Sequence, residues 1–596
     1  MISHLPPLPD SPVARLFSRR HFKLVGEDAV WLSLPGGQTL MNAGEAADMV
    51  YILRTGRLGV FRHDPNATDP EDKAPQFVGV IRPGEPIGEM AMISGMRHSA
   101  TVKAMRDSEL LALPRRAFMR LIRSDPQLMA DISRLMVYRL RTSGRHIKSS
   151  EPNVYALVSL KKGLVMRDLA ETIATAIKKM GYSVKVVDQS AASQPTEWYS
   201  TVEAQHDYTL FCAEASDGSW ISQCLRQSDR ALLFGQGGSP APQFADLKFN
   251  TPLVRQGFFD VILVHPEMTR MPSGGRAWFD STLPHRLMHI IDKRPADIAR
   301  LARTITGHSV GVVLSGGGAR AYAHLGAIRA MRESHVPIDF VGGTSMGAIV
   351  AASVAMGWND EEIEDRLRLA FVDSNPLSDI TFPILSLTKG QKVEERLKAH
   401  FGDIDIADLW RPYFCLSSNL TSGSPMVHRN DRLRDALRAS LAIPGLLPPV
   451  VMNDQVLVDG AVMKNFPADV MRQFHGGVVV GVDVTRAKGV QPKDLQGPDN
   501  LVSWMMSGQT HKGLPIASIL MRAATVRNHK DMASRADNVD VLILPPLENI
   551  EIRDWKAFDE ATQAGYHFTV HALQQLECAV THVARKPTDQ ISGFGL

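Results

Sequence analysis

The 596-residue chain carries 66 Lys and Arg against 63 Asp and Glu, a net charge of +3 that is too small to argue for a nucleic-acid polymer as partner. Its four cysteines (Cys212, Cys224, Cys415, Cys578) are scattered with no C-x-x-C pair, which argues against structural zinc and a disulfide framework and fits a reducing compartment. No run of about 18 apolar residues offers a transmembrane helix, and an N-terminus with Pro6, Pro7, Pro9 and Pro12 has no apolar signal core.

These features predict a cytoplasmic protein, with any membrane contact peripheral and on the inner face. The length argues for three or four domains. We expect three: a β jelly roll over residues 15–145, an α/β spacer over 153–300 and a second α/β domain over 305–585.

Residues 20–115 alternate short strands with glycine turns. Val50 to Leu53, Leu58 to Phe61, Phe77 to Ile81 and Glu109 to Leu113 read as strands, and helices follow at Arg116–Ile122 and Pro126–Leu140. A jelly roll with C-terminal helices fits. The helix beyond Met129 ends in Arg139, Arg141, Arg145 and Lys148, read as a solvated face or a membrane-surface patch.

Gly88-Glu89-Met90-Ala91, followed by Arg97-His98-Ser99-Ala100-Thr101-Val102, resembles a cyclic-nucleotide-binding domain. In that family a short helix receives the phosphate, a Glu takes the ribose hydroxyl and an Arg neutralises the phosphate. The resemblance implies Gly88, Glu89, Met90, Arg97, His98 and Ser99 as the cassette, with cAMP or cGMP as regulator. The family's Arg stands two residues before the Ala of Ala-x-Val; here that position is His98, and Arg97 is one residue early. A neutral imidazole replaces a bidentate fork poorly. Two readings stand: a nucleotide binder in which Arg97 reaches in, or a fold kept as an interaction module.

Residues 153–300 alternate strands and helices. Strands are expected at Val154–Leu160, Ser183–Val187, Tyr208–Cys212, Arg230–Phe234 and Phe259–Val264, and helices at Met166–Met180, Ser219–Gln227 and Leu283–Asp292. Lys161-Lys162-Gly163 makes no phosphate-binding P-loop. Gly235-Gln236-Gly237-Gly238, after a strand, reads as a flexible turn, with a phosphate-holding loop as the other reading.

In the last domain, the apolar strand His308–Leu314 runs into Ser315-Gly316-Gly317-Gly318-Ala319-Arg320 and then a helix from Ala321 to Ser334. Glycines between a strand and a helix expose N–H groups that stabilise a phosphate or the oxyanion of acyl transfer. A second strand, Pro337–Val341, leads to Gly343-Thr344-Ser345-Met346-Gly347, a G-x-S-x-G elbow, and then an apolar helix over Ala348–Met356. Downstream, the strand Val456-Leu457-Val458 ends in Asp459-Gly460-Ala461, an acid able to act as the base that a serine nucleophile requires.

G-G-G-A-R-A, G-T-S-M-G and D-G-A in this order resemble the patatin-like phospholipase family, as do Ala439–Gly445 and Asn465-Phe466-Pro467. The resemblance implies Ser345 as nucleophile and Asp459 as general base, with no histidine in the relay. It implies the amides of Gly316, Gly317, Gly318 and Ala319 as oxyanion hole, and Gly343 and Gly347 as the elbow glycines. The family has Arg-Gly after the glycines, whereas Arg320 is followed by Ala321. His324 is read as a packing residue or one that supports the site from behind.

The order of the three domains, together with Cys224–Asp229 and Leu301–Gly307, resembles the neuropathy target esterase family, in a short bacterial-type form. That implies hydrolysis of phospholipid or lysophospholipid esters through an acyl-enzyme, with no metal or cofactor. A lipid transacylase with the same dyad and a non-enzymatic nucleotide-sensing scaffold are the alternatives. Leu501–Met506, with Trp504, Met505 and Met506, and Ile516–Met521 are apolar islands, read as core helices or as a lid that meets lipid. A final helix is expected over Trp555–Arg585.

Overall fold

The computed structural model describes residues 28–62, 76–81, 83–142, 152–161, 163–242, 254, 257–374, 378–382, 385–485, 538–552 and 554–583. The Pro-rich start, Arg145 and Lys148, Lys162 and the apolar islands at 501–506 and 516–521 lie outside the described residues. The chain divides into two compact units, one of residues 1–235 and 243–262, the other of residues 236–242 and 263–596.

The first unit opens with β1 (Val30–Leu34), β2 (Thr39–Met41), β3 (Met49–Thr55), β4 (Leu58–Arg62), β5 (Gln76–Ile81), β6 (Pro86–Ile87), helix α1 (Glu89–Ser94), β7 (Thr101–Ala104) and β8 (Ser108–Pro114). Two antiparallel four-stranded sheets form, in the orders β1-β8-β3-β6 and β2-β7-β4-β5. Alternation decides this. In β3 and β8, Val50, Ile52, Leu111 and Leu113 turn to one cluster with Phe118 and Leu121, while Leu53, Leu58, Val102 and Leu110 fill the other. Helices α2 (Arg115–Ser124) and α3 (Pro126–Thr142) follow.

Next come β9 (Val154–Ser159), α4 (Met166–Lys179), β10 (Val184–Val187), α5 (Thr196–Gln205), β11 (Tyr208–Ala213), α6 (Gly218–Gln227), β12 (Arg230–Gln236), β13 (Phe259–His265), α7 (Gly275–Thr282), β14 (Arg286–Ile291) and α8 (Pro295–Ile305). The sheet order is β10-β11-β9-β12-β13-β14. β9 is buried throughout, as a central strand covered on both faces requires. The helix expected over Leu283–Asp292 is instead a strand. An apolar run this short carries no helical signature, and burial of Met288, Ile290 and Ile291 within a sheet wins.

Within the first unit the motif Cys224–Asp229 has a structural task. Asp229, wholly buried, sits 3.0 Å from Arg57 and 3.2 Å from Arg106, which lie on two turns of the jelly roll. Arg106 also meets Glu203 of α5 at 3.0 Å and the carbonyl of Gln227 at 3.1 Å.

The second unit continues with β15 (Val310–Leu314), α9 (Ala323–Glu333), β16 (Phe340–Thr344), α10 (Met346–Ala355), α11 (Asp360–Leu367), α12 (Gln391–Phe401), β17 (Tyr413–Asn419), β18 (Ser424–His428), α13 (Leu433–Ser440), β19 (Val450–Met452), β20 (Gln455–Asp459), α14 (Ala468–Phe474), β21 (Val478–Val482), β22 (Val541–Ile543) and α15 (Phe558–Gln574). Eight strands form one sheet in the order β19-β20-β17-β16-β15-β21-β22, with β18 beside β17. β16 begins at Phe340 rather than Pro337 and carries its ladder through Gly343 to Thr344. The last helix is shorter than expected: α15 stops at Gln574, and only a short turn at Val580–His582 follows.

Candidate active site

The sheet brings the two candidate reacting groups together. β16 lies beside β17 in parallel, with Thr344 opposite Leu416, and β20 runs antiparallel on the other side, with Asp459 opposite Ser417. Ser345, one residue past β16, and Asp459, the last of β20, therefore meet across β17. Ser345 Oγ donates to Asp459 Oδ2 at 2.7 Å. Asp459 Oδ1 accepts the amide of Ala461 at 2.8 Å. Asp459 is wholly buried, and loss of solvent pushes its carboxyl up to about 7 against the two hydrogen bonds that favour the anion.

Ser345 has φ 54° and ψ −130°. A positive φ at a non-glycine residue is strained and persists only where the surroundings hold it. α10 and β15 press on this elbow: a Cβ at Gly347 would stand 2.4 Å from the Ser315 carbonyl oxygen and 2.6 Å from that of Leu314.

Two contacts from the end of α13 fasten the pair. The Ser345 amide donates to Ser440 Oγ at 2.9 Å, and the Asp459 amide donates to the Ala442 carbonyl at 2.9 Å. Ser440 is fully buried. The family-like stretch Ala439–Gly445 pointed to this segment, but nothing in the pattern assigned Ser440 a task. The same holds for Asn465, whose Oδ1 accepts the Gly316 amide at 3.1 Å and whose Nδ2 donates to the Gly316 carbonyl at 3.2 Å.

The glycine loop is narrower as a donor set than the sequence implies. The Gly316 amide is taken by Asn465, and the Ala319 amide donates to the Ile552 carbonyl at 2.8 Å. The amides of Gly317 and Gly318 have no partner among the described residues. Gly318 has φ 56°, and a Cβ there would stand 2.3 Å from the Ile552 oxygen, so the loop fits under this segment only as glycine. Arg320 anchors it further, donating through Nε to the Ile550 carbonyl at 2.6 Å. Ala321 is buried in the core behind.

The histidines are engaged elsewhere. His324 is fully buried and donates through Nε2 to the Ser315 carbonyl at 2.8 Å, with burial pulling its pKa down to about 4, as suits a packing residue. His428 lies between Ser417 and Asp431. His475 stacks on Phe340 and accepts the Gly477 amide. His511 and His529 lie outside the described residues.

In the jelly roll, Gly88 has φ 84° and precedes the six-residue α1, which begins at the buried Glu89; Met90 follows. Arg97 is exposed and donates to the Gly44 carbonyl at 2.8 Å. His98 is the inward residue: it is buried, its ring carbon would stand 3.3 Å from a Cβ on Gly88, and burial lowers its pKa. Ser99 is exposed. Of the candidate cassette residues, His98 is thus turned inward and Arg97 is not.

No group of three or more metal-ligating side chains is found among the described residues, and no helix among them is long and apolar enough to cross a membrane.

Residues 312–472 match the family described as patatin-like phospholipase. Residues 31–125 match the cyclic nucleotide-binding domain, and 155–291 the neuropathy target esterase family P-loop-like domain. An uncharacterized NTE family protein of Mycobacterium tuberculosis is 30% identical over 562 residues, 91% of each chain. Lysophospholipase NTE1 of Candida albicans is 24% identical over 637 residues, which cover 90% of this chain and 46% of the fungal one. The rat patatin-like phospholipase domain-containing protein 7 is 27% identical over 90% of this chain and 45% of its own. The chain thus spans about half the length of the fungal and rat relatives.

Proposed function

The chain belongs to the neuropathy target esterase family, and from that membership we propose that it hydrolyses acyl esters of phospholipids or lysophospholipids at a Ser345–Asp459 dyad. The observation that carries this reading is the 2.7 Å hydrogen bond from Ser345 Oγ to a buried carboxylate, made by a serine held at φ 54°.

Asp459 Oδ2 takes the proton as Ser345 Oγ bonds to the ester carbonyl carbon. The oxyanion that forms is met by the amides of Gly317 and Gly318, each such donor contributing roughly 10²–10³ in rate. Collapse breaks the ester bond, Asp459 returns the proton to the departing alcohol, and acyl-Ser345 remains. Water, deprotonated by Asp459, then releases the fatty acid. Burial of Asp459 raises its basicity toward neutral pH, where a general base works best. In this reading residues 15–145, 153–300 and 305–585 are the sensing, spacer and hydrolase domains. The enzyme meets its substrate peripherally, at a membrane surface.

The cyclic-nucleotide-binding domain is the candidate regulatory site. With His98 inward and Arg97 on the Gly44 carbonyl, phosphate recognition there is weak, and regulation by cAMP or cGMP requires Arg97 to swing in.

The test is fatty acid release from lysophosphatidylcholine and phosphatidylcholine by the wild type, Ser345→Ala and Asp459→Asn. Loss in both variants supports the dyad. Activity that survives Asp459→Asn overturns it. Acyl transfer to labelled glycerol in place of free fatty acid moves the assignment to a transacylase.

A further inference from the structure

Residues 379–381 and 387–389 pair antiparallel as the two arms of a small hairpin. The Lys389 amide donates to the Asp379 carbonyl at 2.9 Å, the Thr381 amide to the Leu387 carbonyl at 3.0 Å, and Ile380 bridges Thr388 antiparallel. Its base is firmly seated. Ser386 bridges Gly445, the amides of Leu387 and Thr388 donate to the carbonyls of Gly445 and Leu446 at 2.9 and 3.1 Å, and Thr388 Oγ1 reaches the Leu446 carbonyl at 2.8 Å. Ser386 and Thr388 are buried. Away from this base the pattern inverts: Ile380 is 75% exposed, Phe382 81% and Leu385 74%. Single exposed apolar side chains are ordinary, but three at this exposure within six residues of a well-anchored hairpin mark a contact surface.

The anchor says which surface. The hairpin hangs from the 443–447 turn. That turn continues directly from Ser440 and Ala442, whose side chain and carbonyl take the amides of Ser345 and Asp459. The hairpin and the dyad are thus held by one continuous segment, residues 440–446. The flanking charges also fit: the exposed Lys389 and Lys392 lie at the hairpin's base, where the Lys389 amide donates to the Asp379 carbonyl, the Lys392 amide to Asp379 Oδ2 at 3.3 Å and Lys392 Nζ to Ser378 Oγ at 2.6 Å. Apolar side chains beside lysines match the acyl boundary and the anionic head groups of a lipid surface.

We propose that Ile380, Phe382 and Leu385 insert into the surface of a lipid aggregate and so deliver its lipids to Ser345. The proposal rests on the lipid-hydrolase reading and adds to it the face that meets the membrane.

The test uses the full chain with vesicles of phosphatidylcholine and phosphatidylglycerol, and a water-soluble short-chain nitrophenyl ester as second substrate. The double variant Phe382→Asp/Leu385→Asp lowers vesicle co-sedimentation by about tenfold or more, since burying either side chain is worth at least roughly that factor. Hydrolysis of vesicle lipid falls in parallel, while hydrolysis of the soluble ester stays within about twofold. Phe382→Trp shifts its fluorescence to the blue on adding vesicles. Unchanged sedimentation overturns the proposal. So does loss of activity on both substrates, which assigns the hairpin to the site itself. A dimer that becomes a monomer in the double variant, with vesicle binding intact, makes the face an interface between copies and also overturns it. If the wild type hydrolyses neither substrate yet binds vesicles through the hairpin, the hydrolase reading fails and the surface stands.

Discussion

The burial of Asp459 gives a quantitative handle on the mechanism. Loss of solvent pushes its carboxyl up to about 7, a preference for the protonated form on the order of 4 kcal/mol. Asp459 is wholly buried, so solvent screening does not reduce this. Two measurements follow. On a soluble ester, kcat/KM should rise with pH about a midpoint near 7, falling about tenfold per unit below it. Stability moves the opposite way. Between about pH 4 and about 7 the folded state holds a proton that the unfolded chain has lost, so Asp459 lowers stability progressively as pH rises through that window. Asp459→Asn should therefore abolish activity while raising the urea midpoint at about pH 8 relative to wild type. A kcat/KM profile that is flat from about pH 5 to 9, or one whose midpoint lies near 4, would refute the assignment of Asp459 as a buried base.

Ser440→Ala leaves the buried Ser345 amide without its acceptor, at a cost of about 1–3 kcal/mol; if this is felt in the positioning of Oγ, kcat drops by about 5- to 150-fold at unchanged KM and an unchanged pH midpoint. A rise in KM alone would assign Ser440 to substrate binding instead. Asp229→Asn removes the anion shared by Arg57 and Arg106, and breaking a buried pair from one side costs about 3–5 kcal/mol; denaturant unfolding followed by Trp220, buried in α6, should show the loss, and an unshifted transition would mean that the arginines find water. His98→Arg places a guanidinium beside Gly88 and should tighten cAMP binding by about tenfold or more in calorimetry, as a new charge-assisted hydrogen bond implies; no gain would favour the interaction-module reading of the jelly roll.

Much of the candidate site's local geometry is legible in the sequence. A glycine run between strand and helix, a serine between glycines at a strand end and an acid closing an apolar strand are local features, because each is forced by a turn that few residues tolerate. Gly347 is the clearest case: the carbonyls of Leu314 and Ser315 leave no room for a side chain. The jelly roll was legible for a similar reason, since period-two alternation reports on the two faces of a strand within a few residues.

Only the tertiary structure decided which polar groups are free to act. The Gly316 and Ala319 amides belong to the same glycine run as those of Gly317 and Gly318, yet Asn465 takes the first and Ile552 the second, across 149 residues in one case. Ser440 meets Ser345 across 95 residues, and Asp229 draws in Arg57 and Arg106 from another domain. The same limit explains the error at Leu283–Asp292, a short apolar run whose form is settled by the sheet it joins. Local sequence fixes the turns and the faces of elements, because sterics and hydrophobic burial act between near neighbours. Hydrogen-bond occupancy, strain at Ser345 and the desolvation of Asp459 depend on which distant segments pack over those turns, and that is a property of the folded chain alone.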